Sequence, residues 1–106
     1  MVRTLIHVTP DARPGDPVEV RATIGHPMET GFRAAADGQL VPRNILRRFN
    51  ARYAGVLVFS AELHPAVAAN PLIAFFMRAV DTGPLTLIWE GDRGFVNTET
   101  VLVTVR

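Results

Sequence analysis

Apolar and polar residues alternate along most of this chain, which is the pattern of β-strands that bury one face. The clearest case is 18–24, where Val18, Val20, Ala22 and Ile24 alternate with polar and charged residues. Comparable segments are 2–8, 45–53, 56–63, 72–80, 85–90 and 95–105, and all but the last are followed within three residues by Pro or Gly. Short strands separated by turn residues predict an all-β fold, an immunoglobulin-like antiparallel β-sandwich of about seven strands.

Three of the predicted strands carry a further irregularity. Arg47 falls on the apolar face of 45–53, so we expect either a β-bulge there or a partner for its charge. The segment 56–63 begins apolar on both faces. The segment 72–80 is apolar on both faces, which allows a helix, but the proline before it and the turn residues after it favour a buried strand. Ala54-Gly55 predicts a tight hairpin turn between 45–53 and 56–63.

One long stretch, 26–49, breaks the alternation. It contains a His-Pro, an Asp-Gly, a Val-Pro-Arg and several arginines. A compact β fold tolerates a long excursion of this kind mainly when the excursion has a role. We therefore expect this stretch to shape a functional surface.

Length and composition limit the classes of function. A chain of 106 residues predicts a single domain spanning 1–106, and its hydrophobic fraction of 48% fits either a dense core or an apolar partner surface. A net charge of +1 gives no support for nucleic-acid binding. Because the chain has no cysteine, it has no disulfide, thiol nucleophile or thiolate metal site.

Two further patterns bear on location. Residues 1–8 lack the apolar length and cleavage site of a signal peptide and predict a strand instead. The longest apolar stretch, 71–77, is too short to span a bilayer. We expect no membrane association, and export would depend on another protein.

The histidines offer little for catalysis or metal binding. His7, His26 and His64 each stand alone in the sequence, and the phosphate-loop and nucleophile-elbow motifs are missing. His26 with Met28, and with His64 as a third donor, forms a candidate soft copper site. The alternative is that these side chains make ordinary hydrogen bonds at strand ends and loops.

The charged groups of 26–49 are candidates for binding. Glu29 predicts a turn cap or a salt bridge to Arg33, Arg43 or Arg47, with a binding role as the alternative. The cluster of Arg43, Arg47 and Arg48 predicts either a solvated strand end or a site for an anion or acidic partner. With no catalytic constellation, the residues indicate a non-enzymatic binding or scaffolding module, with 56–59 or 72–77 as its apolar surface.

Four motifs together resemble one known family. They are HPMETG at 26–31, DGQLVPRNILRRF at 37–49, HPAVAANPLIAFFMRA at 64–79 and LIWEGDRG at 87–94. In order and spacing they resemble SoxZ, the Z subunit of the SoxYZ sulfur-carrier pair of thiosulfate-oxidising bacteria. The resemblance runs from about 18 to the end of the chain. Many members of the family carry a cysteine where this chain has Ala51, and an acidic run where it has 90–94.

The resemblance implies an immunoglobulin-like sandwich that pairs with SoxY, the subunit that carries sulfur on a cysteine of a flexible Gly-rich arm. It implies no cofactor, no catalysis by this chain, transient docking to sulfur-oxidising enzymes, and periplasmic export alongside the signal-bearing partner. The alternative hypothesis is a periplasmic copper-binding β-sandwich using His26 and Met28. The residues expected to bind a partner are His26, Met28, Glu29, Arg43, Arg47, Phe59 and Phe75.

Overall fold

The computed structural model describes residues 2–106 and confirms the all-β prediction. Seven strands follow one another as β1 (Thr4–Val8), β2 (Pro17–Ile24), β3 (Leu46–Tyr53), β4 (Val56–Glu62), β5 (Leu72–Arg78), β6 (Gly83–Gly91) and β7 (Val96–Val103). A single 3-10 turn, Asp92–Gly94, joins β6 to β7. No helix within residues 2–106 has the length and apolar character needed to cross a membrane.

The strands form two antiparallel sheets. One has the order β1-β2-β5 and the other the order β4-β3-β6-β7. In constant-type immunoglobulin domains the fourth strand belongs to the same sheet as the first, second and fifth strands. Here β4 pairs with β3 in the other sheet. As a result, β4 and β5 are the edge strands of the two sheets and face each other across the sandwich.

The core fills the space between the two sheets. The predicted apolar face of β2 is fully buried, and so are Phe49 on β3 and Trp89 on β6. The Phe49 ring lies 5.1 Å from that of Trp89 and 6.2 Å from that of Phe75 on the opposite sheet. Burying each such side chain contributes roughly 1.5–3 kcal/mol, so this aromatic cluster is a main reason why the sheets associate.

The predicted turn between β3 and β4 is present. Tyr53 pairs with Val56, which leaves Ala54 and Gly55 as a two-residue loop with φ values of 49° and 84°. Positive φ at both positions is what a type I′ hairpin turn requires. The turn therefore sets the register of the two strands.

The prediction that 72–80 is buried on both faces is wrong. In β5, Ile73, Phe75 and Met77 point into the core, whereas Leu72 and Phe76 are 52% and 67% exposed. The reason is that only one face of β5 packs against the other sheet, whereas its outer face, which carries Leu72 and Phe76, meets solvent. An apolar run on both faces thus marks an exposed apolar surface here.

The β-bulge expected at Arg47 is confirmed. Leu46 pairs with Gly91 of β6 and Arg48 pairs with Glu90, so Arg47 is the extra residue on β3. A Cβ atom on Gly91 would lie 2.7 Å from the Ile45 carbonyl oxygen, which is too close for any other residue type without a backbone shift. Gly91 therefore allows the two strands to approach at the bulge.

The stretch before β3 forms a projecting two-stranded arm. Backbone bridges pair Glu29 with Asn44 and Ala34 with Leu40. The radius of gyration is 16.0 Å, against about 13 Å for a compact chain of this length. The longest dimension of 57 Å shows that the molecule is elongated.

Candidate functional site

His26 and Met28 are buried and join neighbouring segments of the fold by hydrogen bonds. The His26 N–H donates to the side-chain oxygen of Asn70 at 2.9 Å, and the Asn70 N–H donates to the His26 carbonyl at 2.8 Å. Nδ1 of His26 accepts from the Met28 N–H at 3.1 Å, and the Met28 sulfur accepts from the Leu46 N–H at 3.2 Å. The HPM segment thus ties the base of the arm to the 64–71 loop and to β3.

These contacts bear directly on the copper alternative. Nδ1 of His26 and the sulfur of Met28 already accept backbone hydrogen bonds, and a neutral ring that accepts at Nδ1 carries its proton on Nε2. Both residues are also buried, at 4% and 5% exposure. His64 lies elsewhere, beside Arg47 and Arg48. In the part of the chain from 2 to 106, no three His, Asp or Glu side chains group as metal ligands. Both side chains are buried and position the backbone of this segment, and a role for them in partner binding stays a prediction.

His26 also has an unusual electrostatic setting. Burial lowers its pKa, and the negative charge of Asp92 opposes that shift only in part. The imidazole packs edge-on against Phe95 at 5.2 Å, and its Nε2 has no hydrogen-bond partner within residues 2–106. The ring is therefore held in its neutral form.

Glu29 makes a salt bridge within the arm. Its Oε1 lies 2.7 Å from the Arg33 guanidinium, one of the partners that the sequence indicated. The hydrogen bond from Arg33 lowers the pKa of Glu29, and the same bond raises that of Arg33. This places Glu29 in a structural role in the arm, and any contact that it makes with a partner would have to share that bond.

Arg43 is anchored to the turn after β6. Its guanidinium donates to Oδ1 of Asp92 at 2.8 Å, while Oδ2 of Asp92 accepts from the Ile45 N–H at 3.1 Å. Desolvation raises the pKa of Asp92, but these two hydrogen bonds and the charges of Arg43 and Arg47 outweigh it and lower the pKa overall. Arg43 is thus neutralised by a carboxylate.

Arg47 and Arg48 line a cavity at the end of the four-stranded sheet. Neither guanidinium makes a salt bridge with any residue from 2 to 106. We call this feature the arginine cavity; its volume is about 380 Å³. Its lining residues are Arg43, Ile45, Arg47, Arg48, Glu62, Leu63, His64, Pro65, Glu90 and Gly91.

A second, apolar feature lies between β4 and β5. A groove of about 400 Å³ is lined mainly by Tyr53, Val56, Val58, Met77 and Val80. We call the surface formed by these five residues the apolar edge. The Tyr53 hydroxyl donates to the Asp81 carbonyl and accepts from the Val80 N–H, and so links the two sheets at this side. Both strands here are edges, which leaves backbone groups and apolar side chains available to a partner.

Phe59 and Phe75, the remaining predicted partner contacts, pack against each other. Their rings stack at 4.6 Å with an angle of 6° between them. Phe75 belongs to the buried core, and Phe59 is half-buried beside it. They support the apolar edge from within, while the exposed residues of that edge lie at Val56 and Val80.

Sequence reasoning missed two parts of these sites. Nothing in the sequence joins His64 to the arginines, because 16 positions separate it from Arg48 and only sheet pairing brings them together. Tyr53 and Val80 were assigned to strand ends, yet they frame the apolar groove. The sequence did indicate 56–59 or 72–77 as an apolar surface, and Val56, Val58 and Met77 of the groove come from these two runs.

The comparisons with known proteins bear on both the family and the fold. Residues 6–102 match the protein family described as "Sulphur oxidation protein SoxZ". No curated protein sequence matched the chain.

Solved structures of three proteins resemble this fold. A superoxide reductase (neelaredoxin) from Ignicoccus hospitalis is 15% identical with a TM-score of 0.71, over 97% of this chain and 80% of that one. A putative superoxide reductase from Thermotoga maritima is 14% identical with a TM-score of 0.72, over 97% and 85% of the two chains. The sulfur carrier protein SoxY from Chlorobium limicola f thiosulfatophilum is 17% identical with a TM-score of 0.67, over 97% and 78%. At these identities the likeness shows a shared fold alone.

Proposed function

Because this chain belongs to the SoxZ family of sulphur oxidation proteins, we propose that it is the non-catalytic subunit of a sulfur-carrier heterodimer. Its partner is a SoxY-like subunit that holds the sulfur on a cysteine, which this chain lacks. The pair presents bound sulfur intermediates to the enzymes of thiosulfate oxidation. The proposal includes a single-domain subunit and a periplasmic location reached together with the partner.

The family match over residues 6–102 is the observation that carries this proposal. The surface chemistry supports it. Val56 and Val80 are exposed at the apolar edge, beside unpaired strand edges on β4 and β5. Unpaired edge strands with apolar side chains are suited to pairing with a second β protein.

The fold of SoxY is consistent with an edge-to-edge arrangement. The Chlorobium SoxY structure has a fold similar to this chain, with a TM-score of 0.67. Two subunits of one fold can associate through corresponding edges about a pseudo-two-fold axis. We propose that the apolar edge of this chain is its half of such an interface.

Co-expression with a cysteine-bearing SoxY-like chain tests the proposal. We expect a stable one-to-one complex in size-exclusion chromatography with light scattering. The substitution Val56→Asp should weaken the complex at least about tenfold, equivalent to about 1.4 kcal/mol, because it places a charge on the apolar edge.

The matched control is Val96→Asp. Val96 lies on β7 of the same sheet and is 63% exposed, against 64% for Val56. It should leave the affinity unchanged. A chain that stays alone at micromolar concentrations of the partner would refute the heterodimer, and equal weakening by both variants would refute the apolar edge as its interface.

A further inference from the structure

We propose that the arginine cavity binds one small sulfur oxyanion, with Arg47 as its principal ligand and Arg48 and His64 beside it. Nothing in the family assignment places a ligand in this cavity. That the anion contains sulfur rests on the proposed function, whereas the capacity for an oxyanion rests on the geometry alone. Guanidinium groups suit this ligand because they donate paired hydrogen bonds to oxyanions.

The β-bulge places two consecutive arginines at one cavity. In a regular strand Arg47 and Arg48 would point to opposite faces of the sheet. The register shift between Leu46 and Arg48 re-aims Arg47, so both side chains are exposed and line the same cavity. Bulges are often found where a strand must redirect a functional side chain.

The distribution of carboxylates leaves Arg47 as the available cation. Arg43 is held by Asp92, and Arg48 lies between Glu62 and Glu90 in the pairing of the three strands. Arg47 has no partner in the register with β6, because it is the extra residue of the bulge. The two glutamates at the cavity disfavour long polyanions, so the charge balance suits a single small anion.

The cavity lining is mostly polar and charged. Ile45, Leu63 and Pro65 form its smaller apolar part beside the guanidinium groups. An anion in this cavity would therefore be held mainly by charged hydrogen bonds. A volume of about 380 Å³ is within the range of small-ligand sites.

The site can be tested by nuclear magnetic resonance titration of the ¹⁵N-labelled full chain. Sodium thiosulfate and sodium sulfate are added in separate titrations, with the ionic strength held constant by sodium chloride. We expect saturable shifts of the amide signals of Arg47, Arg48 and His64. Arg47→Gln should reduce the affinity at least tenfold. Arg21→Gln, an exposed strand arginine on the other sheet, is the control and should leave the affinity unchanged.

A second titration, with S-sulfocysteine and with cysteine, distinguishes a free ion from an anion attached to the carrier cysteine. Displacement of bound thiosulfate by S-sulfocysteine but not by cysteine supports the attached form. Binding of thiosulfate that S-sulfocysteine does not displace supports the free form. Absence of saturable binding by either anion, or equal weakening by Arg21→Gln, overturns the proposal.

The Arg47→Gln variant also separates this inference from the proposed function. Arg47→Gln should still form the complex with the SoxY-like partner, because Arg47 is not part of the apolar edge. Normal complex formation without any anion binding would overturn only the site, whereas anion binding without complex formation would leave the site and refute the heterodimer.

Discussion

His26 combines burial, a bonded Nδ1 and an Nε2 with no partner among residues 2–106. A charged imidazole could not accept the Met28 hydrogen bond at Nδ1 and would be poorly solvated. Burial therefore lowers the pKa of His26 in the folded state. In the unfolded chain its pKa returns to about 6.5.

This difference predicts a pH dependence of stability. Below about pH 6.5 the unfolded chain binds a proton that folded His26 does not, so the free energy of unfolding should fall as the pH drops. Denaturant unfolding between about pH 7.5 and 5, followed by the fluorescence of Trp89, the only tryptophan, measures this.

His26→Gln should flatten the pH dependence, since it removes the titrating group, although it should also lower stability at neutral pH. His64→Gln is the control for replacing a histidine at an exposed position, and its slope is compared with that of His26→Gln. If the slope persists in His26→Gln, another group is responsible for it.

At the level of elements, the β3–β4 hairpin contains a correctable strain. Ala54 has a φ of 49°, a left-handed conformation that costs an L-residue roughly 1–2 kcal/mol. Asparagine tolerates this conformation better and is preferred at the first position of a type I′ turn.

We predict that Ala54→Asn stabilises the protein by roughly 0.5–1 kcal/mol, measured as a rise in the thermal midpoint. Gly55→Ala is the opposing control, because it places a Cβ at a φ of 84° and should lower the midpoint. A fall in the midpoint with Ala54→Asn would contradict the assigned turn.

The β3 bulge is the second element that shapes function. It depends on Gly91, whose missing side chain lets β6 approach the Ile45 carbonyl. It also directs Arg47 into the arginine cavity. A local backbone feature thus decides which charged groups share a site.

At the scale of the whole molecule, the stack of Phe59 on Phe75 closes one side of the sandwich. Each phenylalanine comes from a different sheet, so the stack joins the two layers beneath the apolar edge. The neighbouring Phe76 points outward from the same strand. Of these two adjacent positions on β5, Phe75 therefore contributes to the core and Phe76 lies at the surface.

We predict that Phe75→Asp unfolds the chain, since losing a buried phenylalanine alone costs about 3–5 kcal/mol and a buried charge adds to this. Phe76→Asp should change stability by no more than about 0.5 kcal/mol, as expected at an exposed position. Circular dichroism and thermal melts of the two variants check this. A folded Phe75→Asp chain would show that the stack does not hold the sheets together.

The sequence by itself determined the strands and the β3–β4 turn, and at Arg47 it predicted either a bulge or a partner for the charge. Each depends on residues close together in the chain: alternating side chains, Ala54-Gly55, and an arginine on an apolar face. The four motifs also indicated the SoxZ family, which the match over residues 6–102 shows.

Only the tertiary structure decided which faces are buried and which side chains meet. An apolar run in the sequence does not show whether a second layer covers both faces of its strand. In this two-sheet sandwich apolar residues on the outer faces of β4 and β5 remain exposed. His26 and Met28 were candidates for copper or partner binding, and their burial was not foreseen because sequence position carries no information on burial in a loop. The arginine cavity formed because strand pairing brought Glu62, His64 and Glu90 to Arg47 and Arg48, and such long-range pairing is not encoded in any single segment.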